Sequence, residues 1–168
     1  FSDEIHNDFI FPGQKHTPFF AVDPSFKDFT VMSTSPSKTF NLAGIKASNN
    51  IIPNEDLRKR FEQVKNAHGL GGSNTFASCA VVAAYTQGAD WVDALVTYVH
   101  ENFQLLDRFL KEKMPVIRMI NHNALYLAWL DCRAWNMDNE ALKQFFVYDC
   151  GILPSMGAEF GQGGAGFV

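Results

Sequence analysis

The chain has 168 residues, of which 46% are hydrophobic and 19% charged, and its formal net charge is −4 at pH 7. This length fits one domain or slightly more, because domains usually run about 100–200 residues. The apolar content argues against a disordered chain, and the negative net charge argues against a nucleic-acid binder. No apolar run approaches the roughly 20 residues that span a bilayer.

The cysteines also limit the class of protein. Cys79, Cys132 and Cys150 are an odd number at wide spacings, and no Cys-x-x-Cys pair occurs. The sequence therefore predicts neither a disulfide framework nor a zinc ribbon. The first residues show no secretory signal pattern, so we expect a reducing, cytoplasmic location.

Residues 1–53 consist of short apolar runs broken by Pro, Gly and Ser. Residues 29–33 and 48–52 are rich in β-branched or apolar residues and are predicted strands. Helical periodicity then dominates residues 54–113. We expect a first helix capped by Asn54, a second from residue 73 or 74 to 85 that is buried nearly all round, and a third capped by Asp90.

The last 55 residues alternate between strand and helix patterns. Strands are predicted at residues 124–130 and near residues 152–153, with a helix over residues 140–148 capped by Asp138. This order predicts a small α/β unit. The glycine-rich residues 161–164 lack the Gly-Lys-Ser/Thr of a P-loop, so we do not expect a nucleotide site there.

Hydroxyl groups surround Lys38 directly after the first predicted strand, in the sequence STSPSKTFN of residues 33–41. Hydroxyls and free backbone N–H groups at a strand end can cradle a phosphate. A lysine there can pair with that phosphate or act as a Schiff-base nucleophile. A solvated Ser/Thr-rich loop is the alternative interpretation of the same residues.

Carboxylates flank a histidine in the sequence DEIHND of residues 3–8. A metal site would need a second ligand histidine at suitable spacing, but His16 lies beyond the turn signal at residues 12–13. We therefore predict no metal site, and a solvated turn at a strand end is the alternative to a functional role.

Two segments resemble a known family. Residues 35–44 (SPSKTFNLAG) resemble the Schiff-base lysine motif of fold-type-I pyridoxal-phosphate (PLP) enzymes, the aminotransferase class I/II superfamily. Residues 2–6 (SDEIH) resemble the strand end that carries its pyridinium-binding aspartate. With FPGQKHTPF at residues 11–19 and YLAWLD at 126–131, the chain is similar throughout to MalY/PatB-type cystathionine β-lyases, or C–S lyases.

The resemblance implies roles for five residues. Lys38 would hold PLP as a covalent Schiff base and remove the substrate α-proton, and Asp3 would pair with the protonated ring nitrogen. His6 would lie near Asp3 and the ring, Ser35 would bind the phosphate, and Ser37 would assist it. The implied reaction is β-elimination from a sulfur-containing amino acid, giving a thiol, pyruvate and ammonia.

The resemblance also implies the fold and its organisation. We expect an α/β chain forming the C-terminal part of an aspartate aminotransferase-like fold. Residues 1–53 would be the remnant of a large PLP-binding domain, 54–113 connecting helices, and 114–168 a truncated small α/β domain. Complete members are longer homodimers, so we expect a fragment that is inactive alone and binds PLP weakly.

One departure from the superfamily pattern stands at Lys46, where many members carry a phosphate-binding arginine. A lysine lacks the bidentate fork of arginine, which puts phosphate ligation at this position in doubt.

Two alternatives to a lyase stay open. One is a class I/II aminotransferase, and the other is a non-catalytic interaction module built from the helices and the small domain. A chain that lacks the other half of such an enzyme would expose surface that is normally buried against that half. Candidates for this surface are Phe9, Phe11, Phe19 and Phe20, and we expect it to cause non-native association between copies of the chain.

Overall fold

A computed structural model describes residues 1–121 and 123–168. The chain divides into two compact units, one of residues 1–97 with 123–125 and the other of residues 98–122 with 126–168. Among the described residues, no helix combines the length and apolarity that crossing a bilayer requires.

A three-stranded sheet organises the first unit. Strand β1 (Ser2–Asp3) runs parallel to β2 (Met32–Thr34), which pairs antiparallel with β3 (Asn49–Ile51). The β2–β3 pair is reinforced by Ser33 Oγ, which donates to Asn50 Oδ1 at 2.6 Å. The strand predicted at residues 48–52 is confirmed, whereas the one predicted at 29–33 begins only at Met32.

Five helices accompany this sheet in the described part of the first unit, and the last of them continues into the second unit. They are α1 (Phe19–Val22), α2 (Pro36–Thr39), α3 (Glu55–Ala67), α4 (Ala77–Gln87) and α5 (Ala89–Lys113). The predicted cap of α3 is confirmed, because Asn54 Oδ1 accepts a hydrogen bond from Leu57 N at 2.9 Å. Helix α5 begins at Ala89, so Asp90 lies in its first turn rather than at its cap.

Helix α4 departs from the sequence-based expectation. It begins at Ala77, and Asn74 instead caps the preceding turn by accepting from Phe76 N at 2.9 Å. The expected burial on all sides is wrong, because Val82 is 61% and Tyr85 49% exposed. Small apolar residues make α4 compatible with burial, but the described elements of this unit cover only part of its surface.

The phenylalanines near the start of the chain also differ from the expectation. Phe9 and Phe11 are buried, with 3% and 5% of their surface exposed, while Phe19 is 37% exposed. The backbone explains this, since Leu125 N donates to Phe9 O and Phe11 N donates to Asn123 O. Of the four candidates for exposed surface, Phe9 and Phe11 are therefore wrong.

The second unit combines a two-stranded sheet with a short helix. Strands β4 (Arg118–Met119) and β5 (Leu130–Asp131) are antiparallel, and α6 (Asn139–Gln144) continues into a π-helical turn, Phe145–Asp149. The cap predicted at Asp138 is confirmed, because its Oδ1 accepts from Ala141 N at 2.8 Å. The strand predicted at 124–130 contracts to β5, and residues 152–153 are not a strand.

An apolar core holds the second unit together. Its buried members are Leu110, Ile117, Cys132, Leu142, Phe146, Met156 and Val168. At its border, the hydrogen-bonded Arg133 lowers the pKa of Asp131 to about 2. The Arg133 guanidinium also lies 4.7 Å from the centroid of the Phe167 ring.

Candidate active site

Asp3 and the segment that follows β2 lie at one edge of the first sheet. Asp3 pairs with Ser33, and Glu4 N donates to Ser33 O at 2.8 Å. The carboxyl ends of parallel neighbouring strands meet at one sheet edge, which is where open α/β sheets place their ligands. Strand register therefore brings Asp3 and the turn that carries Lys38 to the same side of the molecule.

Helix α2 is the single turn that presents Lys38. Ser35 caps it, and Pro36 occupies its first position, where a missing N–H costs no hydrogen bond. Lys38 is exposed in the last turn, whereas the adjacent Thr39 is completely buried. The Lys38 amine thus extends from a turn that is anchored by its neighbours.

The Ser35 hydroxyl is already engaged within the chain. It donates to Ala47 O at 2.6 Å, lies 2.6 Å from Ser37 Oγ, and accepts from Ser37 N at 3.1 Å. A hydroxyl has one hydrogen to donate, so with the Ser35 hydrogen on Ala47 O, the Ser37 hydroxyl is the donor in the contact between the two serines. Both hydroxyl hydrogens are therefore engaged within the chain, and Ser37 would have to turn away from Ser35 to donate to a phosphate. The phosphate-binding roles of Ser35 and Ser37 stay predictions.

Asp3 is the last residue of β1, and His6 lies in the turns that follow this strand. Asp3 is exposed and accepts from Ile5 N at 3.2 Å, while His6 is half-buried. The turns are closed by Asn7 N donating to Glu4 O and Phe9 N donating to His6 O, both at 3.1 Å. His6 therefore lies in the turns directly after Asp3. The roles of both residues stay predictions.

The Glu4 carboxylate accepts several hydrogen bonds within the chain, which the SDEIH motif of residues 2–6 alone did not predict. Its side chain is 6% exposed, and its carboxylate binds His16 Nε2 and Phe19 N at 2.8 Å each. Burial alone raises the pKa of Glu4, but hydrogen bonds from His16, Phe19 and Ser2 outweigh it and hold the pKa below its ordinary value. Among the described residues, no group of three or more His, Cys, Asp or Glu could hold a metal ion.

Thr39 makes a further contact near Lys38 that the sequence did not predict. Its Oγ1 donates to Asp8 Oδ2 at 2.7 Å, which joins α2 to the turns after β1. The only available signal was its place beside Lys38 in a run of hydroxyl residues, and such a run does not tell which hydroxyl faces inward.

Phe40 fixes the other side of α2. Its ring stacks on Trp91 with centroids 5.6 Å apart and meets Tyr85 edge-on at 6.5 Å. Gly88 allows this packing, because a Cβ at that position would overlap the Phe40 ring. The aromatic contact therefore seats α2 on the junction of α4 and α5.

Lys46 lies in left-handed backbone, with φ 55° and ψ 47°. It lines an open pocket of about 420 Å³ together with Arg58 and Lys65. The pocket is lined by residues that lie between Lys46 and Ser73 in the chain. The doubt about Lys46 as a phosphate ligand stays a prediction.

The chain is similar to known proteins over nearly its whole length. Residues 1–163 match the family model Aminotransferase class I and II. The chain belongs to this family. The cystathionine β-lyase PatB of Bacillus subtilis is 40% identical over 167 residues, which are 99% of this chain and 43% of PatB.

Two solved structures share the fold closely. Cystalysin from Treponema denticola, which contains pyridoxal 5′-phosphate, matches with a TM-score of 0.93 and 37% identity over 99% of this chain and 42% of its own. A PLP-bound putative aminotransferase from Clostridium difficile 630 matches with a TM-score of 0.95 and 30% identity over 99% of this chain and 43% of its own.

These likenesses confirm the α/β, aspartate aminotransferase-like fold of the PLP-dependent family. The chain spans less than half the length of the relatives it matches. The division into residues 1–53, 54–113 and 114–168 stays a prediction.

Proposed function

We propose that the complete protein carrying this chain is a PLP-dependent C–S β-lyase. It would cleave a sulfur-containing amino acid such as cystathionine with water, releasing a thiol, pyruvate and ammonia. The observation that carries the proposal is the strand register that brings Asp3 and the Lys38 turn to one sheet edge. Similarity to PatB and cystalysin supports the lyase branch of the family.

The residues at this edge fit the cofactor by their chemistry. Lys38 is exposed and offers an amine for the aldehyde, and Asp3 is exposed and offers a carboxylate for the ring nitrogen. Ser37 is half-buried in the first turn of α2, and its hydroxyl could donate to a phosphate oxygen in place of Ser35. An amine, an anion and a hydroxyl thus match three groups of PLP.

Bound PLP supplies an electron sink for the negative charge that develops at the substrate α-carbon. Lys38 Nζ would hold the aldehyde carbon in the resting protein and accept the α-proton during turnover. The Asp3 carboxylate would keep the ring nitrogen protonated, with His6 next to it. Ser37 would exchange its 2.6 Å contact with Ser35 for a phosphate oxygen, while Ser35 would hold the start of α2 through Ala47 O.

Labelling of Lys38 tests the proposal directly. The complete protein is incubated with PLP and reduced with borohydride, and we expect the added mass on the peptide that contains Lys38. Lys38→Ala should abolish both this label and pyruvate release from cystathionine. Lys27→Ala, at an exposed lysine outside the site, is the matched control and should retain both.

Several outcomes would contradict this assignment. A label that stays unchanged in Lys38→Ala would place the cofactor on another residue. If Lys38→Ala altered no measurable property of the complete protein, a non-catalytic interaction module would be the better description.

An aminotransferase is the second candidate, and the likeness to the Clostridium difficile structure favours it. Such an enzyme would transfer the amino group to a keto acid rather than release pyruvate from cystathionine. Assaying both reactions on one preparation, with Lys38→Ala as the blank for each, separates the two activities.

We further propose that the complete protein is a homodimer in the reducing cytoplasm, where the free cysteines of this chain stay reduced. Light scattering should give twice the subunit mass at all concentrations tested. We expect the isolated 168-residue chain to be inactive and to bind PLP weakly. A strong absorbance band of the isolated chain with PLP, lost in Lys38→Ala, would contradict this.

A further inference from the structure

We propose that Thr39 and Asp8 are a positioning pair whose hydrogen bond sets the Lys38 amine relative to the Asp3 carboxylate. The inference rests on the proposed function, because it assigns a purpose to the same sheet edge. Neither residue is expected to touch the cofactor. Their effect would pass through the two segments that they join.

The first argument is the location of the bond. Thr39 is 0% exposed and follows Lys38 directly in α2, while Asp8 lies in the turns that follow Asp3. Thr39 Oγ1 donates to Asp8 Oδ2 at 2.7 Å. One contact therefore links the element that carries the amine to the segment that carries the carboxylate.

The second argument is the length of α2. It has four residues, too few for a helix to hold its shape without tertiary contacts. Ser35 anchors its start through Ala47 O, and Phe40 packs on Trp91 just after its end. Thr39 supplies the anchor that faces the Asp3 side, so loss of its hydroxyl would free α2 to rotate there.

The third argument is charge. A hydroxyl that donates to a carboxylate forms a stronger bond than one between neutral groups, and it supplies Asp8 with a donor in half-buried surroundings. Asp8 also lies near Tyr85, whose pKa is raised by burial and further by the Asp8 charge. The bond to Thr39 thus fixes Asp8 to α2, which makes Asp8 suitable as a reference point for the segment that carries Asp3.

The test compares three threonine variants in the complete protein. Thr39→Val removes the hydroxyl at nearly constant volume, Thr39→Ser keeps it, and Thr97→Val makes the same change at an exposed threonine of α5. The readouts are the dissociation constant for PLP, the visible absorbance maximum of the bound cofactor against pH, and the melting temperature without cofactor. A merely structural role would change only the last of these.

We expect Thr39→Val to weaken PLP binding about tenfold, as loss of one charge-assisted hydrogen bond implies. Its absorbance transition should shift in pH, because the ring nitrogen would sit differently against Asp3. Thr39→Ser and Thr97→Val should stay within about twofold of the wild type.

Asp8→Ala breaks the same bond from the less buried side, so it decides the question if Thr39→Val does not fold. In the double variant, the two losses in affinity should be strongly non-additive. Additive losses, or wild-type affinity and spectrum in Thr39→Val and Asp8→Ala, would overturn the inference. Failure of the wild type to take up PLP on Lys38 would instead overturn the proposed function.

Discussion

Glu4 Oε2 and His16 Nε2 lie 2.8 Å apart, with the Glu4 side chain 6% and the His16 side chain 31% exposed. The same carboxylate accepts from Phe19 N at 2.8 Å. These contacts fasten residues 16–19 to the end of β1, next to Asp3. The Glu4 carboxylate therefore holds this segment in place through hydrogen bonds within the chain.

We expect Glu4→Gln to lower the stability of the complete protein by about 1–3 kcal/mol at pH 7, since a buried acceptor of several hydrogen bonds is weakened. Glu55→Gln, which alters an exposed ion pair with Lys59, should change stability by less than about 1 kcal/mol. Calorimetric melting of both variants and the wild type provides the comparison. Equal losses in the two variants would contradict the structural role.

The pH dependence of Glu4 follows from the direction of its pKa shift. Its pKa in the folded chain is lowered below 4.5, so its contribution is complete above that value and is lost as the pH falls through the folded pKa. The stability difference between wild type and Glu4→Gln should therefore shrink in acid, as Glu4 becomes protonated in the folded chain. If this stability difference grew on acidification instead, the ionised form of Glu4 would not be the form that stabilises the folded chain.

Gly88→Ala should destabilise the protein by about 1–3 kcal/mol, because overpacking forces neighbouring groups to move. The added Cβ would overlap the Phe40 ring, which is seated on Trp91. Gly44→Ala is the matched control, since nothing lies within 4 Å of a Cβ there. Melting temperatures distinguish them, and Phe40→Leu combined with Gly88→Ala should recover part of the loss.

Ser35→Ala and Ser37→Ala should separate helix capping from phosphate contact. Ser35 caps α2 and donates to Ala47 O, so its loss should cost about 1 kcal/mol of stability. Ser37→Ala should leave the melting temperature of the cofactor-free protein nearly unchanged while weakening PLP binding. If Ser35→Ala weakened PLP binding and Ser37→Ala lowered only the stability, Ser35 rather than Ser37 would be the phosphate contact.

Cys132 should react far more slowly with thiol reagents than the exposed Cys79 and Cys150. Burial raises the pKa of Cys132 to about 11, so almost no thiolate is present at pH 8. Peptide mapping after brief alkylation of the native protein measures each site separately. Labelling of Cys132 as fast as in the denatured protein would contradict the packing of the second unit.

Local patterns predicted the elements that depend on near neighbours. Asn54 and Asp138 cap helices as expected, because a cap is decided within three residues. The strand register that places Asp3 beside Ser33 was not predicted, since it joins distant segments that no local pattern pairs. Burial was the weak point, as Phe9 is covered by pairing with residues 123–125 that no local pattern indicates.

The pairing of Ser2 with Met32 closes a long loop of mainly irregular chain. The candidate site cannot form until that loop has closed, so its formation carries the entropic cost of closing the loop. The entropic cost of closure rises only slowly with loop length, at about 0.6 kcal/mol for each doubling. Insertions between residues 20 and 28 should thus alter folding kinetics more than they alter the register that aligns Asp3 with the Lys38 turn.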